Sequence, residues 1–436
     1  MTASPTPVQD AAEAPDAAEA PVRRRLVCYF SGFDPQGPGH YHQLFKDEAA
    51  KQSQVSGYAL QVGPRKKVTP DIVAWEVRGE FPDVADESGG RAPEVVETRV
   101  EFLRWDDLIR AHWPRGRWAV LATVAWASWE GWRQGVLMRT LRQSWPFFLT
   151  IGAPSMWAAL ALFSALVLVL LWPGAGSPMT IALFGAAAMA WALVLAGLAW
   201  WADKRMRLGW LLRSLAFIIR QGRGAIDGLA PRVQAFGKHV EGQIRSGVFD
   251  EVIIVGHSSG AMLAMSVMAE ALRSLRTDAD ANAGADTRPA CRLSLLTLGH
   301  CTPLLSAQPA AQWFRDDIAT LLGSEVVCWV DYAAPPDGCC FSLQDPSLGL
   351  PSATEKAHRP KCLNPRFAEL FAADRYQAIR RDKFRCHFQY VMAGDLRSSY
   401  DYFAMTCGPQ TVPQWHAQMP SAIGWRGFWT LGGPRL

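Results

Sequence analysis

The chain is short of the features that mark several common functions. Its formal charge is only +4 over 436 residues, too little to argue for a nucleic-acid partner. Its nine cysteines (Cys28, Cys291, Cys301, Cys328, Cys339, Cys340, Cys362, Cys386 and Cys407) include no C-x-x-C pair. That makes a poor disulfide framework and a poor zinc site, and it suits reduced thiols in a cytosolic compartment. No G-x-G-x-x-G and no G-K-[ST] occurs, so the phosphate-cradling loops with those signatures are missing. The opening stretch MTASPTPVQDAAEAPDAAEAP has no apolar core of the kind a secretory signal needs. Rich in Ala, Pro, Asp and Glu, residues 1–22 cannot bury enough surface to offset their ordering entropy, and a disordered tail is expected there. There is no internal repeat.

Charge is missing in one further place, and there the absence is informative. FFLTIGAPSMWAALALFSALVLVLLW, Phe147 to Trp172, holds no charged residue across 26 positions, enough to cross a hydrocarbon core of about 30 Å with some tilt. IALFGAAAMAWALVLAGLAWW, Ile181 to Trp201, does the same across 21 positions. The connector PGAGSPM is short enough to be the turn of a transmembrane helical hairpin. Arg133, Arg139 and Arg142 precede the pair, Lys204, Arg205, Arg207 and Arg213 follow it, and the connector has no basic residue. The positive-inside rule then predicts a two-span protein of a bacterial-type inner membrane with both termini and the globular part in the cytoplasm. The chain has 19 tryptophans, a dozen of them between Trp113 and Trp210, consistent with an aromatic belt at the bilayer surface. Arg117 to Leu141 and Leu208 to Arg223 are amphipathic stretches that could lie in the interface or pack on the globular part; both readings stay open. Small residues from Ala186 to Ala190 leave room for oligomerisation through the hairpin.

The remaining sequence has an α/β rhythm. RRRLVCYF (Arg23 to Phe30), VSGYALQV (Val55 to Val62), DIVAWEV (Asp71 to Val77) and VETRVEFLRW (Val96 to Trp105) read as strands. So do DEVIIVG, CRLSLLTLG (Cys291 to Gly299) and SEVVCWVDY (Ser324 to Tyr332). Short apolar strands separated by helix-length segments predict a mostly parallel sheet with helices on both faces. Residues 23–115 and 224–436 would form this α/β domain, with 116–223 inserted as the membrane region.

Within it, Gly256-His257-Ser258-Ser259-Gly260 matches G-x-S-x-G after a predicted strand and before a predicted helix. Such a corner strains the central residue and demands small neighbours, and it lifts the serine hydroxyl to a helix N-terminus that favours developing negative charge. In this context the segment resembles the nucleophile elbow of the α/β-hydrolase family of serine esterases and lipases. The resemblance covers about Arg23 to Trp113 and Leu229 onwards, with the membrane hairpin as an insertion.

The resemblance implies an acid and then a histidine downstream of Ser258. For the acid, Asp337 in the Pro-Pro-Asp-Gly turn is preferred to Asp331 at the end of the preceding strand. For the base, His387 in KFRCHFQYVMAG is preferred, with an H-x-x-Tyr spacing like that of many family members; His416 is the runner-up, and His358 lies in a polar, solvated stretch. The oxyanion would be held by the backbone N–H groups of Ser259 and Phe33. The loop after the first strand carries Ser31-Gly32-Phe33 where the family often shows His-Gly. Gly32, His257 and His300 are expected to line the substrate pocket; His257 is a poor base, because adjacent side chains point apart. His40 and His42 flank Tyr41 without a third ligand, so no metal is expected, nor any other cofactor.

The implied activity is hydrolysis of an ester or thioester through an acyl-enzyme, with a lipidic or acylated substrate favoured by the membrane location. An acyltransferase using the same triad, a catalytically inactive membrane scaffold, and an oligomeric channel are the other classes. The channel reading is weakened by the lack of any ionisable residue in the spans.

Overall fold

The computed structural model describes residues 20–82, 92–172, 174, 176–281, 289–347 and 358–421. Most of the expected N-terminal tail, residues 1–19, lies outside them.

Nine strands form one sheet: β1 Arg24–Phe30, β2 Ala59–Val62, β3 Lys66–Thr69, β4 Ile72–Phe81, β5 Glu94–Leu103, β6 Glu251–His257, β7 Arg292–Leu298, β8 Val327–Tyr332 and β9 Lys361–Leu363. Their order is β2-β4-β5-β1-β6-β7-β8-β9, with β3 beside β4. The run from β5 through β1 to β9 is parallel. β2, β3 and β5 each pair antiparallel with β4. The fold is therefore α/β with a mixed sheet, and the antiparallel part lies at one end of it.

The central strands read as unbroken apolar runs because both faces are covered. Along β1, Leu26, Cys28 and Phe30 join one core and Val27 and Tyr29 the other. The first core takes Phe236 and Val240 from the Leu229–Arg245 helix, and Met262 and Met265 from the Gly260–Ala281 helix. The second takes Tyr41, Phe45 and Ala49 from the Pro38–Ser56 helix. A strand period of two thus feeds two separate cores from one segment.

Three expectations need correction. Val55 and Ser56 belong to the end of the Pro38–Ser56 helix, which stops at Gly57 with φ 78°, so only Ala59–Val62 is strand. The stretch from Arg117 to Leu141 is two helices, Arg117–Arg133 and Val136–Gln143, parted at Gly135 with φ 71°. The third concerns the apolar runs. The Trp145–Leu170 helix bends by 59° between Gly152 and Ser155, where Pro154 withdraws a helical hydrogen-bond donor. Ahead of the bend, Phe147, Phe148 and Ile151 are buried in the globular core. Beyond it the side chains face outward: Leu162, Phe163, Val169 and Leu170 are exposed. Part of the first expected span is therefore core.

Among the described residues one helix is by itself long and apolar enough to cross a membrane. It is the Pro178–Met206 helix, apolar over the 24 residues Pro178–Trp201; its most apolar 18 residues have a mean hydropathy of 2.2, and none of them is buried. At 1.5 Å per residue it is about 36 Å long. The two flanking stretches divide. In the Leu208–Gly222 helix, Leu215, Phe217, Ile218 and Ile219 are buried, so it packs on the globular core. In the Arg117–Arg133 helix, Trp118, Leu121, Trp129 and Trp132 stay exposed.

An arginine–glutamate ion pair is entirely enclosed. Arg25 on β1 and Glu251 on β6 meet at 2.7 Å with neither side chain exposed. Arg25 also donates to the carbonyls of Gly408 and Gln410, each at 2.6 Å. Glu251 accepts from Ser294 Oγ at 2.8 Å and the Val412 amide at 2.9 Å. Such a pair contributes more to specifying where the C-terminal segment docks than to raw stability, yet removing one partner strands a buried charge. Glu251→Gln should lower the unfolding free energy by about 3–5 kcal/mol in a denaturant titration, and it should expose residues 408–412 to proteolysis. A variant as stable and as protease-resistant as the parent would show that the pair orders nothing.

Candidate active site

Ser258 is the first of the two residues between β6 and the Gly260–Ala281 helix. Its φ is +57°, a left-handed conformation that costs a non-glycine residue of order 1–2 kcal/mol. The corner is held by close backbone packing on both sides. A Cβ on Gly256 would lie 2.5 Å from the Ala261 Cα, and one on Gly260 would lie 2.3 Å from the Ser31 carbonyl oxygen. Neither distance can be accommodated without moving main chain, so both positions require glycine. The Ser258 amide donates to the Leu298 carbonyl at 2.8 Å, fixing the corner against the end of β7. Gly260→Ala should push the helix start off the β1 loop, and we expect soluble expression or thermal stability to collapse. Unchanged stability would mean that the backbone contact is not tight.

The loop after β1 meets this corner, since β1 and β6 are adjacent parallel strands. The Cβ position of Gly32 is 3.0 Å from Ser258 Cβ and 3.5 Å from its Oγ. The amides of Phe33 and Ser259 donate to no other group among the described hydrogen bonds. The Phe33 ring is stacked on Trp113 at 5.6 Å and packed against Phe217, which pins the loop.

Asp337 and His387 come together. His387 Nδ1 lies 2.8 Å from Asp337 Oδ2. The same oxygen accepts from the Tyr390 hydroxyl at 3.1 Å, and Oδ1 accepts from the Cys339 amide at 2.8 Å. Burial alone would raise the Asp337 carboxyl; the His387 ring and the Cys339 amide outweigh it and hold the group below its ordinary value, as a carboxylate. Ser258 and His387 line one cavity, about 780 Å³ counted out to its open mouth, together with Gly32, Phe33 and Cys339. No hydrogen bond joins Ser258 Oγ to His387 among the described contacts.

His257 lines the same cavity, with its ring 4.8 Å from that of His387. Its Nε2 lies 2.8 Å from the His387 carbonyl oxygen, so an Nε2–H donates there and steadies the backbone that carries His387. Gly32 lines the cavity too. His300 does not: it is fully buried, its Nδ1 accepts from the Thr302 amide at 3.3 Å, and its Nε2 lies 3.1 Å from the Gln344 carbonyl. The expectation of His300 as a pocket residue is corrected, because its ring is committed to holding a loop.

The two runners-up are engaged elsewhere. Asp331 Oδ1 accepts from Thr297 Oγ1 at 2.6 Å in full burial, which raises its carboxyl. His416 Nε2 accepts from the Tyr332 hydroxyl at 2.9 Å, and its Nδ1 lies 2.6 Å from the Val412 carbonyl. His358 is exposed near the end of the Gln312–Leu322 helix.

Tyr390 and Cys339 are residues that sequence reasoning did not place in the site, although the H-x-x-Tyr spacing pointed towards the first. Tyr390 joins the Ala334 amide, from which it accepts at 2.8 Å, to Asp337. Asp34 also lines the cavity; it accepts from Tyr41 at 2.9 Å, and burial raises its carboxyl. Asp337, Cys339 and His387 hold an oxygen, a sulfur and a nitrogen within 4.8 Å of one another. Burial pushes the Cys339 thiol up, away from the thiolate a metal would need, and Asp337 Oδ2 is already shared by the imidazole and the phenol. The donor set is better suited to an acid–base pair than to an ion. Comparison with family models, with curated proteins and with solved structures finds no match for this chain.

Three histidines outside the Asp337 pair are held neutral. Burial lowers His257 from 6.5 to about 3, with the His387 ring adding to it. Burial likewise lowers His300 to about 4 and His416 to about 4, against the opposing pull of their carbonyl partners. Each folded value lies below the unfolded one, so the unfolded chain binds more protons in acid. The stability contributed is complete above pH 6.5 and is lost as pH falls toward about 4. Each group adds a slope of about 1.4 kcal/mol per pH unit inside that window. Unfolding free energy measured from pH 7 down to pH 5 should fall steeply, and His416→Gln should remove about one proton from the slope; an unaltered slope would show that His416 is not held neutral.

Proposed function

We propose that this chain is a membrane-anchored serine hydrolase of the α/β-hydrolase type that cleaves an ester or thioester. The observation that carries the reading is a left-handed, half-buried Ser258 in a cavity shared with an Asp337-bound His387. A serine hydroxyl is a weak nucleophile and needs an adjacent base, which in turn needs an orienting carboxylate. In this reading the base is His387. Its Nδ1–H is directed at Asp337, which leaves Nε2 to accept the Ser258 proton as Oγ attacks the carbonyl carbon. The oxyanion is received by the Ser259 and Phe33 amides, which have no other acceptor among the described hydrogen bonds. His387 then returns the proton to the leaving group, and water, activated by the same ring, releases the acid from the acyl-enzyme. No step calls on a cofactor.

The anchor in this reading is the apolar hairpin, with the Pro178–Met206 helix as one span and the outer part of the Trp145–Leu170 helix as the other. Exposed Trp129, Trp132, Trp200 and Trp201 suit the bilayer surface, where an indole is half wet. The basic flanks put the catalytic part in the cytoplasm.

The test is labelling of detergent-solubilised full-length protein by a fluorophosphonate probe. We expect labelling in the parent and in His416→Ala, loss in Ser258→Ala, and a fall of at least about a thousandfold in His387→Ala. Equal labelling of Ser258→Ala would sink the serine assignment. Loss in His416→Ala with retention in His387→Ala would exchange the bases.

A further inference from the structure

The cavity that holds Ser258 is not walled by the α/β domain alone. Phe147, Thr150 and Ile151 come from the buried root of the Trp145–Leu170 helix, and Trp210, Leu211 and Ser214 from the Leu208–Gly222 helix. These are the segments that directly precede and follow the apolar hairpin. The deep residues Gly32, Phe33, Phe147 and Ile151 are buried, while Trp210, Leu211, Lys383 and Phe384 are half-buried and Arg207 is exposed. The mouth therefore lies where the Pro178–Met206 helix ends and the Leu208–Gly222 helix begins.

Its depth relative to a bilayer follows from helix geometry. The apolar stretch of the Pro178–Met206 helix ends at Trp201, six residues before Arg207, about 9 Å along a helix axis. Headgroup layers are roughly 5–7 Å thick on each side of the hydrocarbon. Arg207 thus stands at the outer edge of the headgroup layer, with the cavity opening beside it.

Two cations stand at that mouth. Arg207 lies over the Phe384 ring at 4.7 Å, which fixes its guanidinium, and Lys383 is the next residue in the chain from that ring. Lys383 Nζ donates to the Pro336 carbonyl at 3.2 Å. Among the described residues neither cation is paired with a carboxylate. Asp203 accepts from the Gly209 amide at 2.7 Å. Asp34, the one carboxylate lining the cavity, is buried beside Tyr41. Arg207 also has φ +50°, a cap position that glycine would occupy without strain. A strained arginine kept at a cavity mouth invites a functional explanation.

Resting on the hydrolase reading above, we propose that the substrate is an anionic amphiphile drawn from the bilayer. Its phosphate-bearing headgroup is held by Arg207 and Lys383, its ester carbonyl lies at Ser258, and its acyl chain lies along Phe147, Ile151, Leu211 and Phe388. A guanidinium and an ammonium recognise a phosphate through charge-assisted hydrogen bonds. The apolar walls accept the chain, and the bilayer supplies the substrate at the height of the mouth.

The experiment reconstitutes the full-length protein in phosphatidylcholine vesicles carrying a minor fraction of a fluorogenic acyl ester, on either a phosphatidylglycerol or a phosphatidylcholine headgroup. The readout is the ratio of kcat/KM for the two, with fluorophosphonate labelling of Ser258 followed in the same preparations. The parent should prefer the anionic headgroup by about tenfold or more. Arg207→Gln and Lys383→Gln should each cut that ratio several-fold, and Arg207→Lys should keep most of it. Labelled protein that cleaves both lipids alike, cleaves neither, or keeps its preference in both glutamine variants overturns the headgroup assignment while leaving the hydrolase standing. A parent chain whose Ser258 takes no label overturns the hydrolase reading, and the substrate assignment with it.

Discussion

The site depends on how closely two backbones approach at one corner. The first turn of the Gly260–Ala281 helix sits against the carbonyls of Phe30 and Ser31, so close that no side chain fits at Gly260. That contact is possible because β1 and β6 are neighbours in register, Phe30 opposite Gly256. Two loops leave the same edge of the sheet side by side, and the serine and both candidate oxyanion amides are attached to one or the other. From β1 come Gly32 and Phe33; from β6 come His257, Ser258 and Ser259. β5 flanks β1 on one side and β6 on the other, so the chain reverses its direction of winding at this edge. Such a switch point leaves a crevice that neither connection fills. The strain at Ser258 is a consequence: the strand must turn into the helix within two residues, Ser258 and Ser259, between two tightly packed glycines.

The second loop system is held to the first by side chains. His387 is fixed through Asp337 on one nitrogen side and through its own carbonyl, which accepts from His257. Tyr390 ties Asp337 to Ala334, beyond the end of β8. The ring is therefore oriented from two strands, β6 and β8, that are not adjacent, with β7 between them. Its position is set by the sheet rather than by the short helix that carries it.

Much of this was legible in the primary structure because it is local. G-x-S-x-G encodes a tight corner in five consecutive residues, and Pro-Pro-Asp-Gly encodes a turn past a strand. What could not be read was which of two similar groups each partner would find. Asp331 and Asp337 are six residues apart; Thr297, on a different strand, takes the first. His416, the runner-up to His387, is bonded by Tyr332 across 84 residues of chain. His300 follows a strand as a pocket residue would, and a loop 44 residues away claims it. The uncharged run from Phe147 misled for a different reason. Lipid and protein core are both apolar solvents, so composition does not mark where one gives way to the other. The bend between Gly152 and Ser155 marks where buried side chains give way to exposed ones, and Pro154 was the signal that could have been read.

On the hydrolase reading, two imidazoles whose centres lie 4.8 Å apart, tilted by 37°, raise a question of charge, since His387 must become cationic during each half-reaction while His257 must not. Two positive rings at that distance in a cavity partly closed to water would repel strongly. The surroundings separate the two. His257 is buried, has no carboxylate partner, and spends its Nε2–H on a carbonyl oxygen, so it stays neutral well into acid. His387 has the one carboxylate in contact with either ring, and Asp337 is kept ionised by the same contacts that orient it. In this reading the ring with the carboxylate carries the charge through the reaction, and its neighbour is kept from competing for it. A lysine or arginine at 257 could hold the carbonyl as well, but it would bring a permanent charge against the imidazolium. A neutral donor is what the position needs, and a histidine held neutral by burial supplies it.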